Sequence, residues 1–148
     1  MGIVKFYKSS WDYGFLSNLF KAPVSFEGKK FRSSEEAYQY GKPVEKEVAE
    51  WIVSAPHQRQ VAQAAHSLLP YDIVPDWNKI KVERMRRVVE AKFAQNKELK
   101  QKLLDTGDNI LLEDSPTDKF WGIGAKGDGE NVLGKLLMEL REKLKKEA

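Results

Sequence analysis

The segment SSEEAYQ at residues 33–39 most constrains the fold, because it predicts the start of a helix with carboxylates in its first turn. Ser33 is a favoured N-cap residue, and Glu36 follows at the spacing of a capping box. That role accounts for Glu36. It leaves the neighbouring Glu35, which points off another helix face, without a structural reason. We therefore interpret Glu35 as a candidate catalytic carboxylate.

The remaining patterns predict an α+β fold, mostly helical with a small β-sheet, in one compact domain over residues 1–148. Alternation predicts a strand at 3–7, and a hairpin follows at 22–32, turning at Gly28. Helical periodicity, with prolines at 56, 70 and 75 as boundaries, predicts five helices and then a leucine-faced sixth. Their expected bounds are about 34–42, 44–54, 57–68, 77–95, 97–105 and 132–146. A strand at 109–113 and a loop at 114–131 separate the last two.

The long fourth helix has an apolar row, and we expect its arginines to be solvated outside that row. The row consists of Val82, Met85, Val89 and Phe93, and the arginines are Arg84, Arg86 and Arg87.

Composition excludes several kinds of site. The chain has no cysteine and two histidines, which rules out disulfides and thiol nucleophiles and predicts no metal site. The glycines at 122–127 lack a Rossmann context and no Walker loop is present, so no cofactor is predicted. No apolar run is long enough to cross a bilayer, and the N-terminus is neither a signal nor a transit peptide. We therefore expect a cytoplasmic protein. The sequence indicates no particular oligomeric state.

Polar and aromatic side chains in four segments predict a ligand site. Glu35 and Asp118 supply two carboxylates, and Ser17 and Asn18 supply a hydroxyl and an amide for ribose. Tryptophan can stack on a flat heterocycle while a carboxylate faces the anomeric carbon. The other expected contacts are Gly14, Phe15, Trp77, Trp121 and Gly122.

An ordered set of motifs resembles the NADAR (YbiA-like) family of N-glycosidases and covers nearly the whole chain. The matching stretches lie at 6–7, 13–18, 33–39, 76–77, 92–96, 104–107, 118–124 and 131–141, with Met85 and Glu113 between them. The resemblance implies an α+β fold that cleaves N-glycosidic bonds without a metal. It makes Glu35 the leading catalytic carboxylate and Asp118 the second candidate.

The resemblance also implies the substrate class. Described substrates of the family are ribosylamino-pyrimidine phosphates of riboflavin synthesis and ADP-ribose attached to guanine bases. The partner is therefore expected to be a small-molecule nucleotide or an ADP-ribosylated nucleic acid.

Two departures from the family pattern affect these expectations. The family usually has histidine where this chain has Glu36. A second carboxylate facing Glu35 is expected to raise the pKa of one of the pair, whereas the effect is small if Glu36 faces its capping partner. Many members have a Gly-Arg pair where this chain has His66 and Ser67. If that arginine binds a substrate phosphate, its substitutes here would be Lys42, Arg59 or Lys126.

Three alternatives stay open at this point. The same pocket would suit a non-catalytic module that binds ADP-ribose or another nucleotide. The net charge of +3 and the arginines of the fourth helix would suit a small basic nucleic-acid-binding protein. A purely structural protein would leave Asn18, Glu35 and Asp118 without a common purpose.

Overall fold

Residues 2–148, which the computed structural model describes, form six α-helices and four short strands. In chain order these are β1 (Ile3–Phe6), β2 (Val24–Phe26), β3 (Lys29–Phe31), α1 (Ser34–Gln39), α2 (Lys46–Val53), α3 (Gln58–His66), α4 (Trp77–Gln95), α5 (Lys97–Asp105), β4 (Ile110–Glu113) and α6 (Val132–Glu147). The predicted α+β class is confirmed, and each predicted helix and strand is present within a few residues of its expected bounds.

The chain divides into two compact units, Met1–Ser17 with Phe93–Ala148 and Asn18–Lys92. The prediction of a single domain over the whole chain stays a prediction.

The first unit is built on a parallel pair of strands. β1 pairs with β4 in the register Val4 to Leu111, and α6 packs against β4. Gly134 permits this packing, because a Cβ atom there would overlap the backbone oxygen of Leu111. The predicted apolar face of α6 is confirmed by its buried leucines, which are Leu133, Leu136, Leu137, Leu140 and Leu144.

The second unit places α1 against a hairpin and two helices. β2 and β3 pair antiparallel across a two-residue turn, in which Glu27 and Gly28 both have positive φ. This conformation is typical of a tight hairpin, and it confirms the turn predicted at Gly28. α1 packs on the hairpin and on α2 and α3, whose contact is centred on Ile52, Val61 and Ala65.

The prediction for α4 is confirmed for most of its apolar row and is wrong for Arg84. Met85 and Val89 are buried, whereas Val82 is half-buried. Arg84 is not solvated: its guanidinium donates to the backbone oxygens of Ala37 and Tyr38. The last carbonyls of a helix lack partners within the helix, and a long cationic side chain from α4 satisfies two of those in α1.

Within the part of the chain that the structure describes, no helix combines the length and the apolar character needed to cross a membrane.

Candidate active site

The N-terminus of α1 is capped as predicted. Ser33 has extended backbone, and its hydroxyl accepts a hydrogen bond of 3.2 Å from the backbone N–H of Glu36. The same hydroxyl donates a hydrogen bond to the side-chain oxygen of Gln58 in α3. Because Ser33 is fully buried, these bonds fix the position of the first turn of α1.

The carboxylate of Glu36 does not complete the capping box. It accepts hydrogen bonds from the backbone N–H of Arg32 at 2.9 Å, from Arg32 Nε at 2.5 Å and from Gln58 Nε2 at 2.7 Å. Glu36 therefore reaches one residue further back than the N-cap. Its side chain is 3% exposed, so these partners compensate the loss of water around its charge.

Glu35 is held differently and remains half-buried. Its backbone N–H donates to Asn18 O at 3.1 Å, and its carboxylate accepts from Gln39 Nε2 at 2.8 Å. Asn18 is itself fixed, since its amide oxygen accepts from the Ser34 hydroxyl at 2.8 Å. Two of the predicted site residues, Asn18 and Glu35, thus lie together at the start of α1.

Lys42 interacts electrostatically with Glu35 and with a second lysine, Lys81. The pKa of Lys42 lies below its ordinary value, chiefly because burial disfavours the ammonium form and also because the charge of Lys81 repels it. The Glu35 carboxylate acts in the opposite direction on the same pKa. Lys42 Nζ donates to Ala65 O at the end of α3 across 3.1 Å. The other two cations expected to replace the family arginine, Arg59 and Lys126, are exposed.

Trp77 begins α4 and packs against α1. Its ring centroid lies 5.3 Å from that of Tyr38, at an interplanar angle of 47°, and it is 9% exposed. The preceding residue, Asp76, has a φ of 63°, an uncommon conformation outside glycine. Trp77 therefore belongs to the same unit as Asn18 and Glu35 and lies beside the helix that bears Glu35.

The predicted contacts Gly14, Phe15 and Ser17 lie in the other unit, in a short 3₁₀ turn. All three are buried, and a Cβ atom on Gly14 would overlap the backbone oxygen of Ser9. Gly14 thus has a packing reason for lacking a side chain. Lys102 Nζ lies 5.7 Å from the ring centroid of Phe15.

Asp118 organises a turn in the loop before α6. Its Oδ1 accepts from the backbone N–H groups of Phe120 at 2.9 Å and Trp121 at 2.8 Å. Its own N–H donates to the Ser115 hydroxyl at 3.0 Å. Gly122, which follows Trp121, is buried, and a Cβ atom there would lie 2.7 Å from a carboxylate oxygen of Glu113. These contacts explain Asp118 and Gly122 structurally, and their roles toward a ligand stay predictions.

The structure therefore gathers the predicted residues into groups. In one unit, Asn18 and Trp77 contact α1, the helix that bears Glu35. Gly14, Phe15 and Ser17 form one segment of the other unit, and the stretch from Asp118 to Gly122 forms a second. The joint pocket expected from the sequence stays a prediction.

Two polar residues of the Asn18–Lys92 unit were missed by the sequence reasoning. Gln39 follows Glu35 by one helical turn and is 4% exposed. Lys92 is fully buried, and burial lowers its pKa to about 7. Its Nζ lies 5.9 Å from the ring centroid of Phe20. The signal for Lys92 was its position seven residues after Met85, which places a cation in the apolar row of α4.

Among residues 2–148, no group of three His, Cys, Asp or Glu side chains is placed to hold a metal ion.

Comparison with known proteins shows the family. The NADAR domain model matches residues 5–145. The chain is 38% identical to N-glycosidase YbiA of Escherichia coli over 96% of its own length and 88% of that protein. It is 37% identical to a riboflavin biosynthesis protein of Vibrio vulnificus over 98% of its own length, but it spans only 39% of that longer protein.

The fold comparison agrees. The NMR structure of the E. coli protein YbiA superposes with a TM-score of 0.89 at 36% sequence identity, covering 99% of this chain and 86% of that one. The chain therefore belongs to the NADAR domain family.

Proposed function

We propose that this chain is an N-glycosidase, which hydrolyses the bond between ribose C1′ and a nitrogen atom. Relatives that match over most of their length are named N-glycosidases, including those of E. coli and Nostoc punctiforme. The observation that carries the proposal is the position of Glu35, a half-buried residue in the first turn of α1. Its carboxylate accepts from Gln39, and its backbone N–H donates to Asn18 O.

The proposed chemistry needs a fixed carboxylate. Cleavage of an N-riboside passes through an oxocarbenium-like state, in which positive charge develops at C1′. A carboxylate that is already oriented stabilises this charge without reorganising, and it accepts a proton from the attacking water. We assign both roles to Glu35. Asp118 stays the predicted second carboxylate, and the mechanism is proposed to need no metal.

The surroundings of Glu35 support an anionic substrate. Lys42 and Lys81 interact electrostatically, and Lys42 also feels the charge of Glu35. A phosphate near this pair would reduce their mutual repulsion. The substrate class we propose is a phosphorylated N-riboside, either a ribosylamino-pyrimidine phosphate or ADP-ribose on a guanine base. Relatives named riboflavin biosynthesis proteins, in Vibrio vulnificus and Zea mays, support the first of these.

The arginines of α4 give little support to a general nucleic-acid-binding role. Arg84 pairs with Glu27 at 2.8 Å, Arg87 with the same carboxylate at 3.6 Å, and Arg86 with Glu83 at 2.5 Å. Cations that already face carboxylates attract phosphates less than a patch of one sign does.

Mass spectrometry of reaction products tests the proposal. The purified protein is incubated separately with a ribosylamino-pyrimidine phosphate and with a guanine oligonucleotide bearing ADP-ribose. We expect release of the free base, or of the unmodified oligonucleotide, together with ribose phosphate or ADP-ribose. Saturable binding of ADP-ribose with no bond broken in either substrate would overturn the proposal in favour of a non-catalytic nucleotide-binding module.

A further inference from the structure

Among residues 2–148, only the amide nitrogen of the Gln39 side chain has a hydrogen-bond partner, and the amide oxygen has none. Its Nε2 donates to the Glu35 carboxylate at 2.8 Å. Its Oε1 is buried and accepts no hydrogen bond from residues 2–148. A buried amide oxygen without a donor is costly, and in native proteins such an atom calls for an explanation.

The orientation of this amide follows from Glu35. An ionised carboxylate accepts hydrogen bonds only, so the donor end of the amide must face it. Turning the amide over would place two acceptors together. Glu35 therefore directs Gln39 Oε1 toward a second donor, which residues 2–148 do not supply.

We propose that Gln39 is a positioning residue which, together with Glu35, holds the water that attacks C1′. A water molecule has two O–H groups, and it donates one to each of the two acceptors. Its lone pair is then directed away from both, toward the sugar. The inference rests on the proposed N-glycosidase function and adds to it the residue that orients the nucleophile.

The step balances in atoms and charge. The water oxygen forms a bond to C1′ while the bond from C1′ to the base nitrogen breaks. One water proton passes to the Glu35 carboxylate, and the departing nitrogen takes the electron pair of the broken bond and a proton from solvent. Gln39 gains and loses no proton, since its amide serves only as an acceptor toward the water.

Competition between water and methanol tests this role directly. Methanol has one O–H group and satisfies only one of the two acceptors, so the wild-type enzyme should favour water over methanol more strongly than uncatalysed solvolysis does. In 10% methanol, mass spectrometry gives the ratio of methyl riboside to free sugar product. We expect Gln39→Leu to raise that ratio roughly fivefold, which corresponds to one hydrogen bond of about 1 kcal/mol.

The ratio is a useful readout because it does not depend on how much of the enzyme is folded. Gln39→Leu should also lower kcat by roughly a hundredfold with little change in KM, as expected when a reacting group loses its orientation. Gln39→Met, which keeps the length of the side chain, should behave similarly.

Two other glutamines that bind carboxylates serve as controls. Gln58 is buried and donates to Glu36, whereas Gln101 is exposed and donates to Asp105 at 2.8 Å. Gln58→Leu should lower stability and leave the product ratio unchanged, and Gln101→Leu should change neither.

The failures of the two proposals are distinguishable. If the wild type cleaves neither substrate, the proposed function fails. If the wild type cleaves one substrate but prefers water over methanol no more than uncatalysed solvolysis does, the role proposed for Gln39 fails. This outcome is measured on the wild type alone, so it does not require the Gln39 variants to fold. An unchanged product ratio in folded Gln39→Leu has the same meaning.

Discussion

The carboxylate of Glu36 accepts a hydrogen bond of 2.7 Å from the Gln58 side chain, which joins the start of α1 to α3. Its neighbour Glu35 contacts Gln39 within α1 instead. Two consecutive glutamates therefore have separate partners, and the structure gives one of them a stabilising role.

Replacing Glu36 should affect stability. Glu36→Ala removes three hydrogen bonds to a carboxylate that is 3% exposed, so we expect the free energy of unfolding to fall by about 2–3 kcal/mol in urea denaturation. Glu83→Ala, which removes an exposed pair with Arg86, should cost about 0.5 kcal/mol or less. Equal stability of the Glu36 variant and the wild type would contradict the structural role.

Replacing Glu35 should affect turnover. In Glu35→Gln the new side-chain oxygen still accepts from Gln39, so the fold should persist, while the charge that stabilises the transition state is lost. We expect kcat to fall roughly a hundredfold or more. Glu47 occupies the same position of α2 and is exposed, so Glu47→Gln is a matched control that should keep full activity. Unreduced turnover in Glu35→Gln would end the assignment.

Lys92 predicts a pH dependence of stability. Its pKa is about 7 when folded and near the ordinary 10.5 when unfolded, because burial disfavours the ammonium form. Between these values the unfolded chain binds the additional proton, so stability rises with pH by about 1.4 kcal/mol per pH unit from this group and is lowest below pH 7. Lys92→Met should remove that rise.

Urea denaturation of both proteins between pH 6 and pH 9.5 checks this expectation. The variant should be the more stable of the two at pH 6, and its advantage should shrink steadily above pH 7. A stability difference that does not change with pH would show that the ammonium group is not disfavoured by its surroundings.

Asp118 stabilises a turn and is also predicted to take part in catalysis, and two substitutions distinguish the structural role from the catalytic one. Asp118→Asn keeps an oxygen that accepts from the Phe120 and Trp121 N–H groups, so stability should change by about 0.5 kcal/mol or less. Asp118→Ala loses both bonds and should cost about 1–2 kcal/mol. If the charge takes part in catalysis, as we propose, Asp118→Asn should lower kcat roughly tenfold or more. Wild-type turnover of this folded variant would leave Asp118 with the turn alone.

Local patterns were enough to predict most elements of the fold. The hairpin turn at Gly28 and the cap at Ser33 depend on backbone and side-chain groups only a few residues apart. For the same reason, the periodic leucines predicted the buried face of α6 correctly. The error at Arg84 has a different origin, because its partners are the carbonyls of a helix more than forty residues earlier in the chain.

The sequence by itself determined the class of the fold, the position of Glu35 in the first turn of α1 and the membership of the family. These follow from short-range capping, from periodicity and from motifs in order. Only the tertiary structure decided that Glu36 binds Gln58, that Lys92 is buried and that Gln39 Oε1 is buried with no donor among residues 2–148. Each of these depends on which surfaces pack together, and packing between distant segments sets the burial and the hydrogen-bond partners that a residue's own neighbours in sequence do not specify.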